Sequence, residues 1–110
     1  MPPKSTSPKG RAYLKREEGE VLRAYRDVVG VWTIGCGLTA ASGVVKPKAG
    51  MVISREEADR LLSLALERNY EPAVRRAMPL ASQCEFDGAV SFHWNTGAIG
   101  KASWVSAWAK

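Results

Sequence analysis

The sequence predicts an α+β domain: a helix, a small antiparallel β-ribbon, then a helical bundle. Three observations predict it. Residues 20–39, "EVLRAYRDVVGVWTIGCGLT", are rich in β-branched and aromatic residues and punctuated by glycine, as a hairpin is. Residues 54–78, "SREEADRLLSLALERNYEPAVRRAM", switch to a helical apolar period through Ala58, Leu61, Leu62, Ala65 and Leu66. Two Ser-x-x-Glu capping boxes, Ser54 with Glu57 and Ser82 with Glu85, mark helix starts. Helices segregated from an antiparallel sheet define the α+β class.

The elements follow in order. The opening "MPPKSTSPKG" is rich in Pro, Ser, Lys and Gly and reads as a flexible basic arm over residues 1–10. It lacks the apolar stretch of an ordinary secretory signal. The first helix starts near Pro8 to Arg11, carries Tyr13, Leu14 and Glu17/Glu18, and ends at Gly19, which tolerates the left-handed conformation of a helix terminus. Two short strands meet at a turn over Val28 to Gly30. Residues 38–53 read as a loop, broken by Gly43, Pro47 and Gly50. Pro72 has no N–H and clashes with the preceding turn, so it kinks or restarts the second helix. The next helix opens at Ser82, lines up Phe86, Ala89, Val90 and His93/Trp94, and closes at Asn95-Thr96-Gly97. "ASWVSAWAK" begins another helix. The expected organisation is the arm 1–10 and a single domain over 11–110, divided into a helix-and-ribbon part (11–53) and a helical part (54–110).

Composition narrows the function. A chain of 110 residues is one domain or part of one. No run approaches the ~18–20 apolar residues of a membrane span, so no stable membrane insertion is expected. The net charge of +5 and pI near 9.5 favour an anionic partner. The basic residues form no long block and match no nucleic-acid-binding signature, so nucleic acid is not the expected partner. Cys36, Cys84 and the single His93 have no metal-ligand spacing, so no metal and no other cofactor is expected. The two cysteines read as reduced, mostly packed thiols, with one disulfide as the alternative. His93 reads as structural.

Three polar residues stand out in and beside the ribbon. Glu18 ends a helix, where the macrodipole disfavours a carboxylate, and cover by Tyr25 and Trp32 would desolvate it further. Both effects favour the protonated form that a general acid needs. Asp27 stands in the turn, open to water and expected to stay ionised. Two carboxyl groups whose environments differ can divide acid and base work, as glycoside hydrolysis requires. Thr33, across the turn, has a hydroxyl that can hold a water against Asp27. Each residue also has an ordinary reading: a solvated acidic patch, a turn aspartate, a strand threonine.

These residues carry a resemblance. "EEGEVLRAYRDVVGVWTIGCGLT" resembles the N-terminal signature of phage-type lysozymes, the endolysin muramidases. In that signature a Glu-Gly pair is followed by an Asp and a Thr at fixed distances. Here eight residues, 19–26, separate Glu18 from Asp27, and five, 28–32, separate Asp27 from Thr33. "SREEADRLL" and "EFDGAVSFHWNTGAIGKASW" are similar to later family segments, so the likeness runs from about Arg11 to Lys110. The loop "TAASGVVKPKAG" resembles versions from prophages and gene-transfer particles.

The resemblance implies a lysozyme-like α+β fold and cleavage of the β-1,4 bond between N-acetylmuramic acid and N-acetylglucosamine in peptidoglycan. Glu18 maps to the general acid, and Asp27 and Thr33 to the holders of the hydrolytic water. Trp94 and Asn95 match positions that line the family's sugar cleft, and Thr39 and Ser103 are further substrate-binding candidates. The family's best-known member inverts the anomeric centre, which needs carboxyl groups ~6.5–9.5 Å apart. The chain departs from the family's "GYGHT" at Cys36 and Leu38. Family members also run further, so the helical part is expected to lack C-terminal helices and to leave Trp104 and Trp108 for self-association. The alternative is a truncated or degenerate domain that binds cell wall or protein without catalysis. Synthesis in the cytoplasm without a signal peptide is expected, with action in the periplasm or wall after release or particle delivery.

Overall fold

The protein is described by a computed structural model covering residues 4–108. Among the described residues four α-helices and two strands follow one another: α1 (Pro8–Glu18), β1 (Val21–Arg26), β2 (Trp32–Gly35), α2 (Arg55–Asn69), α3 (Glu71–Ala77) and α4 (Gln83–Thr96). Short 3-10 turns cover Ala40–Ser42, Ile99–Lys101 and Ser103–Trp108. The chain divides into two compact units, residues 11–65 and residues 4–10 with 66–108. The boundary between these units lies inside α2.

In the 11–65 unit, β1 and β2 pair antiparallel in the register Val21↔Gly35, Tyr25↔Thr33 and Arg26↔Trp32, with a bulge between Val21 and Tyr25. The stretch expected as loop contributes an isolated bridge to the outer side of β1. Arg23 bridges Val52, Ala24 N donates to Met51 O, and Ile53 N donates to Leu22 O, both at 2.9 Å. These bonds satisfy the outer edge of β1, which would otherwise present unpaired backbone groups. Ile34 and Leu38 exchange N–H···O bonds of 2.9 Å around Gly35-Cys36-Gly37, folding that segment into a tight, buried bend. Leu14, Ile34, Cys36, Leu38, Leu61 and Leu62 are among the buried apolar side chains of this unit.

The second unit corrects the expectation of a flexible basic arm over residues 1–10. Thr6 is buried, and its N–H and hydroxyl donate to Glu71 Oε2 at 2.9 and 2.7 Å. Ser7 donates its N–H to Asp87 Oδ1 at 3.0 Å and its hydroxyl to Asp87 Oδ2. Ser7 Oγ also accepts from Gly10 N at 3.1 Å, capping α1 one residue before Pro8. Gly10 has no room for a side chain, since a Cβ there would lie 2.8 Å from Asp87 Cγ and from Thr6 Cγ2. Composition suggested disorder, but the buried carboxylate of Glu71 on α3 and the half-buried one of Asp87 on α4 bind the segment. The arm's first three residues lie outside the described ones.

Pro72 restarts the helix as expected: α2 ends at Asn69, and α3 begins at Glu71 with proline in its first turn. At α4 both halves of the capping box are made, Ser82 Oγ from Glu85 N at 3.2 Å and Glu85 Oε1 from Ser82 N at 2.8 Å. Gly97 ends that helix in the left-handed region. The helix expected after Ala102 is instead a 3-10 turn over Ser103–Trp108. Its Trp and Val side chains are weak helix formers, and Ser106 Oγ takes the Ser103 carbonyl at 3.1 Å. Cys84 is exposed and Cys36 buried, both as free thiols, which corrects the expectation that both are packed.

Candidate active site

The hairpin turn is built around Asp27. Its backbone N–H donates to Val31 O and its carbonyl accepts from Gly30 N, both at 2.9 Å. Gly30, at φ +85°, supplies the left-handed residue that lets a three-residue loop close a hairpin. Asp27 Oδ1 accepts two further bonds of 2.9 Å, from Val29 N and Val31 N. One oxygen of the carboxylate therefore holds the turn together. Oδ2 has no hydrogen-bond partner among the described residues and stays available to water.

Alternation along the ribbon sets the faces. Tyr25 and Thr33 are directly paired, so they share a face, and Asp27, two residues beyond Tyr25, shares it too. Asp27 and Thr33 are thus diagonal neighbours across the hairpin. Arg26 and Trp32 occupy the opposite face, where the guanidinium lies 5.1 Å from the indole centroid. Thr33 is only 3% exposed, and its hydroxyl donates to Val31 O at 2.9 Å. With the proton committed, Oγ1 can offer only lone pairs. A water near it must donate, and Asp27 Oδ2 also accepts.

Glu18 is the last residue of α1, and Gly19 N closes the helix on Lys15 O at 2.9 Å. It is solvent-exposed, which corrects the expected aromatic cover. Trp32 is turned to the ribbon face that carries Arg26, and Tyr25 is itself exposed.

The end of α1 is held by charges the sequence reading passed over. Lys15 Nζ lies 2.8 Å from Asp59 Oδ1 and 3.6 Å from Glu20 Oε2, and Arg11 Nε donates to the same Asp59 oxygen at 3.2 Å. The hydrogen bond from Lys15 holds the Asp59 carboxyl below its ordinary range, and Asp59 in turn raises Lys15. Lys15 one turn before Glu18, and Asp59 beside the apolar stripe of α2, were the available signals. Burial, followed by the charge of Glu20, pushes the Cys36 thiol up to about 11, and Glu18 adds to that rise.

The remaining candidates fall in both units. Thr39, in the 11–65 unit, precedes the Ala40–Ser42 turn, and its carbonyl accepts from Ser42 N at 3.0 Å and Ser42 Oγ at 2.7 Å. Trp94, Asn95 and Ser103 belong to the other unit. Trp94 packs on Tyr70 with ring centroids 4.9 Å apart. Asn95 is exposed, and its amide donates to Ser91 O one turn back at 3.1 Å. Ser103 is exposed, and its carbonyl accepts from Ser106 Oγ. His93 accepts the Ile99 N–H on Nδ1 at 3.3 Å, and burial lowers its pKa. Its ring also meets that of Tyr70 edge-on, with centroids 5.7 Å apart.

A sequence model of the phage lysozyme family matches residues 15–109. The chain belongs to the phage lysozyme family. It is 34% identical over 91 residues to the endolysin of Salmonella phage P22, a match covering 83% of this chain and 62% of that protein. The chain thus spans less than two thirds of that relative's length. A variant of P22 lysozyme superposes with a TM-score of 0.82 at 30% identity, over 96% of this chain and 73% of that one. The endolysin of the Escherichia coli phage FAHEc1 gives 0.77 at 33% identity, over 96% and 67%. The muramidase domain of SpmX from Asticaccaulis excentricus gives 0.77 at 28% identity, over 96% and 70%. The α+β architecture is therefore that of a lysozyme. In this lysozyme-like chain Cys36 and Leu38 are buried parts of the bend after β2, so both departures from the family motif fall on packing positions.

Proposed function

We propose that the chain is a peptidoglycan muramidase that uses Glu18 as general acid and a water held by Asp27 and Thr33. The observation that carries this reading is the ribbon face: Asp27 Oδ2 and Thr33 Oγ1 are acceptors on one side of a hairpin whose donors are already used. A water donating one proton to each turns its lone pairs outward, toward an electrophile. Glu18 gives its proton to the glycosidic oxygen as the C1–O bond breaks, the water attacks C1, and Asp27 takes a proton from it. Trp94, Asn95, Thr39 and Ser103 are the proposed sugar contacts. The site of action is the periplasm or wall.

The test is lysis of permeabilised Gram-negative cells, followed as turbidity. Glu18→Gln is expected to reduce the rate at least about a hundredfold, the scale of one lost general acid, with an unchanged circular dichroism spectrum. Unchanged lysis by that variant excludes Glu18 as the acid. A second reading is favoured by the exposure of Glu18: a non-catalytic domain that holds wall polymer or protein. It predicts co-sedimentation with purified peptidoglycan and no release of reducing ends.

A further inference from the structure

The hairpin tip has the wrong composition for a turn in water. Its two central positions, ordinarily polar in a type I turn, are Val28 and Val29, which are 104% and 78% exposed. Among the described residues nothing covers them. Val31 and Val52 on the same ribbon are 42% and 64% exposed. Turn geometry does not require valine, since the turn is held by backbone N–H groups on Asp27 Oδ1 and by Gly30.

Charge shows what covers this surface. From Val21 to Ile53 the chain carries four basic side chains, Arg23, Arg26, Lys46 and Lys48, all exposed, and one acidic side chain, Asp27. Asp27 has one oxygen bound by two amides. Arg26 is stacked over Trp32, an amphipathic ring suited to a membrane–water boundary. A projecting apolar tip beside guanidinium groups matches the chemistry of an anionic bilayer: acyl chains under a layer of phosphates.

We propose that the β1–β2 hairpin is a membrane-docking finger, inserting Val28 and Val29 into the headgroup region of an anionic phospholipid surface while Arg23 and Arg26 meet lipid phosphates. This is peripheral docking, and no helix among the described residues is long and apolar enough to cross a membrane. Arg26 and Trp32 lie on the face opposite Asp27 and Thr33.

Vesicle co-sedimentation tests the proposal with no peptidoglycan present, so its outcome is independent of the muramidase reading. The chain is expected to sediment with phosphatidylglycerol/phosphatidylcholine vesicles and much less with phosphatidylcholine alone. The double variant Val28→Ser/Val29→Ser should bind roughly tenfold more weakly, the loss expected for two half-inserted apolar side chains. Its fold is expected to be unaffected, since serine suits a turn. Arg23→Gln/Arg26→Gln should weaken binding and remove the preference for phosphatidylglycerol. In a Val28→Trp variant, brominated acyl chains should quench fluorescence beyond the level seen for the parent chain. No sedimentation with anionic vesicles, or binding unchanged in the valine double variant, overturns the proposal. Loss of binding to purified wall sacculi in that same variant, with vesicle binding retained, assigns the tip to the wall instead.

Discussion

Cys36 and Cys84 are both free thiols, and their surroundings separate them. Cys36 has no exposed surface and is pushed up to about 11 by burial and by the neighbouring Glu20, whereas Cys84 lies at the surface in the first turn of α4. Alkylation proceeds through the thiolate and needs access. At pH 8 one equivalent of iodoacetamide is expected in the native protein, on Cys84, and two after denaturation, counted by intact mass. The linkage has a definite sign. The folded value lies above the ordinary 9.0, so the native state holds this proton more tightly. The stability attached to Cys36 is then full below pH 9.0 and lost as the pH rises through about 11. Cys36→Ala should flatten the alkaline limb of a stability–pH profile. The same scale explains why the site was only half legible. Spacing singled out Glu18, Asp27 and Thr33. It did not show that Thr33 spends its proton on Val31 O, or that Glu18 stands in solvent.

Among the elements, the two Ser-x-x-Glu motifs differ, and the box expected at α2 keeps only its serine half among the described hydrogen bonds. At α4, Ser82 and Glu85 satisfy each other reciprocally. At α2, Ser54 Oγ accepts from Glu57 N at 3.0 Å, while the Glu57 carboxylate is gripped by Arg60 at 2.6 and 2.7 Å. Removing the α4 cap by Ser82→Ala should cost about 1 kcal/mol, read as a lower urea midpoint at unchanged slope. No change in midpoint would show that another group caps α4. The ribbon was legible because a hairpin turn and its flanking strands are adjacent in sequence. Its third edge at Val52 was not, because the partners Ala24 and Met51 are separated by a long irregular stretch and nothing local marks the pairing.

For the whole molecule, the largest difference from the sequence reading is the N-terminal segment. Glu71 is 3% exposed, a buried carboxylate whose Oε2 accepts two bonds from Thr6, with Arg75 Nη1 3.5 Å from the other oxygen. Buried carboxylates are costly without partners. The thread of residues before α1 is therefore part of the structure of its unit. Thr6→Val keeps the shape and the backbone donor but removes the hydroxyl. It is expected to destabilise the protein by about 1–3 kcal/mol, the cost of leaving a buried acceptor short of a bond. Thermal unfolding measures it, and wild-type stability in this variant would mean that the Thr6 hydroxyl adds nothing.

By itself the sequence determined the class, the order of helices and ribbon, and the cap of α4. All of these rest on interactions between residues a few positions apart, where backbone geometry leaves little choice. Tertiary structure decided which carboxylates are buried and which face water. It docked Thr6 on Glu71 and Ser7 on Asp87, tied Lys15 to Asp59, left Glu18 in solvent and sent Val28 and Val29 outward. Desolvation belongs to everything packed around a group, and no stretch of sequence carries that information.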